Sequence, residues 1–401
     1  LTEVQPLRAL FLLNCGDLQM KYFDYSATTP PFPEVANAVK DAMLQLYGNP
    51  SSLHKLGVQA ERLLEQARDA IAGQLKLPEG YRVIFTSGGT ESNNLAIKGA
   101  AFAAMEAGRG KHVITTAVEH ASVLESFTQL KERFGFELTV LPVDHHGRVS
   151  PVEVAAALQK DTVLVSVMHV NNEVGAIQPI DEIGKIVKAA GRALFHVDAV
   201  QSVAAGGLSL SGGCIDMLSM SAHKCKGPKG IGLLAMKEHV QLLPLLSGGG
   251  QEFGLRSGTE QPAAAAGFAK ALRLSAERTE REPDLLMRYH GLVTECIRKL
   301  PNLILNGGEA GEAFSPHIIN FSFPGMKSEV IVHALEEEGI AVSTRSACSS
   351  GEDKASHVLA AMGVGEARAK SSIRISVSHD HTMEDMEHLC RALENVSRRF
   401  S

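Results

Sequence analysis

The stretch Val83-Ile-Phe-Thr-Ser-Gly-Gly-Thr-Glu-Ser-Asn-Asn94 changes character midway. Four residues of strand type lead into two glycines, and a segment of helical period runs from Glu91 to Ala107. A strand, a tight turn and a helix in that order make one βα unit. The unit recurs along the chain. His112–Thr115, Leu138–Leu141, Thr162–Met168, Ala193–Asp198, Met217–Met220 and Gly232–Met236 read as strands. Ser122–Phe134, Pro151–Gln159 and Ile180–Ala190 read as helices. Several strands are almost wholly apolar, as in a parallel sheet covered on both faces. The expected fold class is α/β, with a large, mostly parallel mixed sheet covered by helices. Ligands of such sheets bind at the carboxyl ends of strands, so the loops there are where chemistry is sought.

The texture changes after Gly250. A helical region runs from about Gln261 to Leu300, followed by strands at Ile318–Phe323 and Ile373–Val377 and helices at Ser328–Glu338 and Met383–Arg399. This predicts a smaller α+β C-terminal domain over 261–401. The large domain is expected over 33–260, and residues 20–32 are expected to pack with the small domain. Residues 1–19 hold a short apolar stretch, Ala9–Leu13, and Met20 is followed at once by strand-like sequence. We expect the native start at Met20, with 1–19 as an extension.

Composition excludes several function classes. The 401 residues carry a net charge of −6, which supplies no basic footprint for nucleic acid or an anionic membrane. Aromatics are 5% and Trp is absent, so base-stacking platforms are poorly supplied. No apolar run reaches the ~18–20 residues of a membrane helix. Cys15, Cys214, Cys225, Cys296, Cys348 and Cys390 form no C-x-x-C pair, which points away from zinc and dithiol redox motifs. The thiols are expected to be reduced and the protein cytoplasmic.

Three strand ends carry polar groups. The first is the turn before Glu91, where helix N-terminal N–H groups and the Thr90 hydroxyl make an anion cup. Without a following Gly-Lys-Ser/Thr it is not a Walker loop. The second is Asp198-Ala-Val-Gln201, an acid leaving a buried strand, which needs a partner. The third is Ser221-Ala-His-Lys224, where a desolvated lysine becomes a nucleophilic amine. Singly, each has an ordinary explanation: a capped helix, an N-cap, a surface lysine. Together they match what pyridoxal phosphate requires, namely a phosphate cup, an acid for the ring nitrogen and a lysine for the aldehyde. His120 in Val118-Glu-His120 is placed to stack on the ring, and Asn172 in His169-Val-Asn-Asn172 to bond its phenolic oxygen.

The chain resembles the cysteine desulfurases, class V enzymes of the fold-type I pyridoxal-phosphate group. The likeness is carried by DYSATTPP (24–31), YGNPSSLH (47–54), FTSGGTESNNLAIKGA (85–100), VEHASV (118–123), MHVNNEVG (168–175), HVDAVQS (196–202), SAHKCKGPKG (221–230), GGGQEFGLRSGTEQ (248–261) and SACSSG (346–351). It implies that Gly89, Thr90, Gln201, Ser221 and His223 hold phosphate. It implies a homodimer in which Thr259 reaches the neighbouring subunit's phosphate. Asn172 and Arg374 are the expected substrate-binding residues, with Arg374 gripping the carboxylate. Lys224, His120 and Cys348 are the expected catalytic residues: L-cysteine becomes L-alanine, and its sulfur becomes a persulfide on Cys348, which must attack as thiolate. Cys348 lies in a polar, small-residue segment, where functional groups concentrate.

The segment Val342–Leu359 aligns without a gap to the longer-loop, housekeeping group. That implies sulfur-acceptor partners in iron–sulfur cluster assembly or tRNA thiolation. The alternatives on the same fold are selenocysteine lyase, cysteine-sulfinate desulfinase or class V aminotransferase. Two positions depart from the family pattern: Arg345 replaces a glycine before Ser-Ala-Cys348, and Phe253 replaces an arginine after Gly-Gly-Gly-Gln-Glu252.

Overall fold

The computed structural model describes residues 20–203, 212–311, 313–344 and 355–400. Its first part contains β1 (Lys21–Tyr22), α1 (Pro33–Gln45), α2 (Lys55–Gln74), β2 (Tyr81–Thr86), α3 (Gly89–Glu106), β3 (His112–Thr116), α4 (Ala121–Phe134), β4 (Glu137–Leu141) and α5 (Pro151–Ala157). There follow β5 (Thr162–Met168), α6 (Ile180–Ala190), β6 (Leu194–Asp198), β7 (Met217–Ser221), β8 (Gly232–Lys237), α7 (Pro262–Arg281) and α8 (Leu285–Arg298). The remainder is β9 (Ile304–Asn306), β10 (Ile318–Ser322), α9 (Ser328–Glu337), β11 (Ile340–Ala341), α10 (His357–Ala361), α11 (Glu366–Lys370), β12 (Ser372–Ser376) and α12 (Met383–Arg399).

Seven strands form the large sheet in the order β2-β8-β7-β6-β5-β3-β4. β8 is antiparallel to both neighbours, while β7, β6, β5, β3 and β4 pair in parallel. β2 therefore points the same way as those five. The carboxyl ends of β2, β3, β5, β6 and β7 all lie along one edge of the sheet. Every residue of β5 is buried, which explains its unbroken apolar run. Alternation sorts side chains to two faces. Val83 and Phe85 join the core under α1, α2, α6 and α7, whereas Ile84 joins the core under α3 and α4.

The small sheet runs β12-β10-β9, antiparallel throughout. α8, α9 and α12 cover it around Phe321, Ile375 and Leu389. The helical stretch read as continuous from Gln261 to Leu300 is two helices. Pro283 lies in the break between them, and a proline there has no N–H for a helical bond. β1 pairs with β11 at Lys21↔Ile340, and Asp24 bridges to Ser376 at the end of β12, so residues near 20 lie on the small sheet's side. α12 opens with a capping box between Thr382 and Asp385, and α4 and α6 end on left-handed Gly135 and Gly191.

Candidate active site

One cleft at the shared strand edge collects ten of the twelve residues singled out in the sequence. After β2, Gly88 takes a φ of 157° and caps α3, so Gly89 and Thr90 present the first turn of that helix. A Cβ on Gly89 would lie 2.8 Å from Val200 Cγ2, so any larger residue there must push Val200 aside. After β3, His120 caps α4: its Nδ1 accepts from the Ser122 amide at 3.1 Å and lies 2.8 Å from Ser122 Oγ. Asn172 follows β5, and Asp198 and Gln201 follow β6. Ser221 ends β7, and His223 and Lys224 sit in the 3-10 turn just after it.

A buried histidine sets the register of the three central strands. His196 on β6 bonds Ser166 on β5 through Nδ1 (2.8 Å) and Ser219 on β7 through Nε2 (2.9 Å). Burial lowers its pKa to about 3, so it stays neutral. The loops bearing Asn172, Asp198 and Lys224 are thereby held side by side.

Asp198 is buried, accepting from Asn93 Nδ2 at 2.8 Å and from the Val200 amide at 3.0 Å. Lys224 Nζ donates to the carbonyls of Ser26 and Ala27. Gln201 Nε2 donates to the same Ser26 carbonyl at 2.9 Å. His223 lies against Thr28 and Thr29. Its pKa falls to about 4, first by burial and then by the charges of Lys224 and Lys229. Burial also lowers His120, a pull that Lys224 and His357 reinforce and Asp198 and Glu173 oppose.

Arg374 arrives from the small sheet and is 1% exposed. Its Nη1 donates to the Asn172 carbonyl and its Nη2 to Asp24 Oδ1, both at 2.8 Å, while its buried Nε has no partner among the described residues. The guanidinium faces the same cleft as Lys224.

Thr259 is exposed and does not line the cleft. Its loop is nevertheless tied to the start of α3, because Arg256 Nε donates to Glu91 Oε1 at 2.9 Å. Burial raises the Glu91 pKa, but hydrogen bonds from Arg256 and Ser87 outweigh it and hold the carboxyl below its ordinary value. In the same loop Phe253 has φ 59° and stacks with Arg68 (5.0 Å) and Arg82 (5.3 Å), while buried Glu252 takes Arg68 Nη1 at 3.0 Å. The aromatic that replaces the family's arginine is thus met by two guanidinium groups from elsewhere in the chain. Cys348, Arg345 and residues 1–19 lie outside the described residues.

The sequence reading missed Ser26, Ala27, Asn93 and Ser122, all of which line the cleft. Asn93 lies four positions after Gly89, one helical turn on, which is the one signal that placed it on the cleft side of α3.

Residues 21–389 match the family described as aminotransferase class-V. A "NifS/IcsS protein homolog" of Lactobacillus delbrueckii subsp. bulgaricus is 44% identical, covering 95% of this chain and 98% of the relative. "Cysteine desulfurase IscS" of Dictyoglomus turgidum is 43% identical over 94% and 95% of the two chains. Among solved structures, a "NIFS-like protein" superposes with a TM-score of 0.87 at 34% identity, covering 95% of this chain and 99% of the other. A NifS-like protein from Rickettsia africae gives 0.82 at 32% identity, covering 94% and 99%. The α/β architecture is that of these fold-type I enzymes. With near-complete coverage on both sides and the strand-end groups gathered in one cleft, the chain belongs to the class-V aminotransferase family, in its cysteine desulfurase branch.

Proposed function

We propose that this enzyme is a pyridoxal-phosphate-dependent cysteine desulfurase that converts L-cysteine to L-alanine and stores the sulfur on Cys348. The observation that carries the reading is the convergence of Lys224, Asp198, His120 and Arg374 on one cleft. The donor set fits the cofactor. The first turn of α3, with Gly89 and Thr90, Ser221 and His223 beside it and Gln201 nearby, suits its phosphate. Buried Asp198 suits a protonated ring nitrogen, and Lys224 is the residue to hold the aldehyde covalently. Buried Asn93 Oδ1, without a partner among the described residues, is a further acceptor at this site. When bound, pyridoxal phosphate supplies the sink for the electrons of the substrate Cα–H bond.

The chain's own residues do the rest. Arg374 orients the substrate carboxylate with the donors left over from Asn172 and Asp24. Lys224 takes the Cα proton. His120, whose pKa burial lowers, accepts or returns a proton beside it. The Cys348 thiolate attacks the substrate sulfur: an S–S bond forms and the C–S bond breaks. The bonding pair stays with the substrate Cβ, which takes up a proton, and Lys224 returns the Cα proton to give alanine.

The reading includes a homodimer in which Thr259, exposed in this chain, reaches the neighbouring site. Among the described residues no helix is long and apolar enough to cross a membrane. We place the enzyme in the cytoplasm, with residues 33–260 as its cofactor domain, 20–32 and 261–401 as the smaller one, and a sulfur-acceptor protein as its partner. The test is Cys348→Ala. Loss of alanine formation from L-cysteine with retained turnover of L-selenocysteine supports the proposal. Undiminished cysteine turnover overturns it.

A further inference from the structure

The Cys348 segment leaves the described fold at Thr344 and returns at Ala355. One stem is tied to a residue of the cleft, the other to the immediate neighbours of two more. Before the segment, Ser343 exchanges two backbone hydrogen bonds with Arg374: Arg374 N donates to Ser343 O at 2.7 Å, and Ser343 N to Arg374 O at 3.2 Å. After it, Ser356 is 1% exposed and its hydroxyl works twice. Ser356 Oγ accepts from the Leu359 amide, capping α10, and donates to Glu173 Oε2 at 2.5 Å. The next residue, His357, donates from Nε2 to the Glu119 carbonyl at 3.0 Å.

Glu173 and Glu119 are the immediate neighbours of Asn172 and His120. They are also joined to each other. Asn171 Oδ1 accepts from the Glu173 and Val174 amides, and Asn171 Nδ2 donates to the Val118 carbonyl at 2.9 Å. Asn320 Nδ2 fixes the Glu173 carbonyl from the small sheet at 3.0 Å. The turn after β5, the turn after β3 and the start of α10 thus form one hydrogen-bonded knot. The Ser356 carboxylate contact is as short as a hydroxyl makes with a charged acceptor.

From this geometry we infer that Glu173, Ser356 and His357 are positioning residues for sulfur transfer: they pin the C-terminal stem of the Cys348 segment against the His120 and Asn172 loops. The inference rests on the proposal that Cys348 receives the sulfur. None of the three need touch the substrate. Releasing the described stem removes a fixed point that ties the segment to the cleft, and a misplaced reacting group lowers the rate of transfer.

The experiment compares two reactions of the holoenzyme in Glu173→Ala, Ser356→Ala, His357→Ala and the conservative Glu173→Gln, which keeps an acceptor for Ser356. One is exchange of the Cα hydrogen of L-alanine in D2O, followed by NMR, which uses Lys224 and Arg374 but not Cys348. The other is single-turnover persulfide formation on Cys348, followed as a 32 Da mass gain. The three alanine variants are expected to lose persulfide formation by about 10–100-fold, the range for a reacting group displaced by about an ångström. Their alanine exchange stays within twofold, and Glu173→Gln recovers most of the persulfide rate. Equal losses in both reactions indicate a merely structural role and overturn the inference, as does an unchanged persulfide rate. Cys348→Ala, run alongside, separates the two levels: if it still forms alanine from L-cysteine at the parent rate, the proposed function itself has failed.

Discussion

Replacing Arg374 with lysine keeps the charge and removes the fork. Arginine has five N–H donors, and in this structure one is committed to the Asn172 carbonyl and one to Asp24. The unpartnered Nε and the remaining Nη hydrogens are left for a substrate carboxylate. Lysine offers three donors from a single atom, and two fixed acceptors already compete for them. At least one charge-assisted hydrogen bond to the substrate is lost, worth about 1.5–3 kcal/mol. At about 1.36 kcal/mol per decade, kcat/KM for L-cysteine falls by roughly 10–160-fold. Steady-state alanine formation measures it. The specificity control is binding of L-alanine against ethylamine, its analogue without the carboxylate, read from the cofactor absorbance. Alanine binding weakens in Arg374→Lys while ethylamine binding does not. If both weaken equally, the residue shapes the cleft without holding a carboxylate, and the reasoning is refuted.

Two further outcomes are expected. Burial pushes the Glu119 carboxyl up to about 8, against an ordinary 4.5. Between those values the folded chain keeps a proton that the unfolded chain has released, so stability falls as pH rises through the window. Glu119→Gln lacks that loss. Its urea midpoint relative to the parent therefore rises from pH 5 to pH 8, and a gap of constant size counts against the assignment. In Gly89→Ala the new methyl meets Val200 at 2.8 Å and Ser221 at 3.6 Å, overpacking of about 1–3 kcal/mol at the start of α3. Pyridoxal phosphate affinity, measured by titrating the apoenzyme, drops at least tenfold; an unchanged affinity refutes the phosphate-cup reading.

Where burial and periodicity act locally, the sequence was a sufficient guide. β5, α6 and α12 begin and end where their patterns do, because each carries its own apolar run or cap. α1 left no such signature: of its residues only Val35 is buried, and exposed Met43 and Leu44 blur the stripe. The loops after β2, β3, β5, β6 and β7 were legible because each closes a strand with polar groups where apolar residues precede it, whereas Arg374, in the middle of β12, was expected only from the family resemblance. Asn93 and Ser26 were not, because their roles depend on partners far along the chain. Asn93 meets Asp198 across 105 positions, and Ser26 meets Lys224 across 198. No local pattern encodes such a pairing.

The bond between Asp24 and Arg374 spans 350 positions. At a synthesis rate of about 5–20 residues per second, Asp24 is made roughly 20–70 s before its partner. The seven large-sheet strands are complete by Lys237, so that sheet can pair while the small sheet is still being made. The Lys224 loop therefore exists well before the arginine that faces it. The arginine proposed to hold the substrate is thus made after the rest of the cleft. A chain cut short before β12 retains the strand ends that surround Lys224 and lacks the guanidinium that faces them.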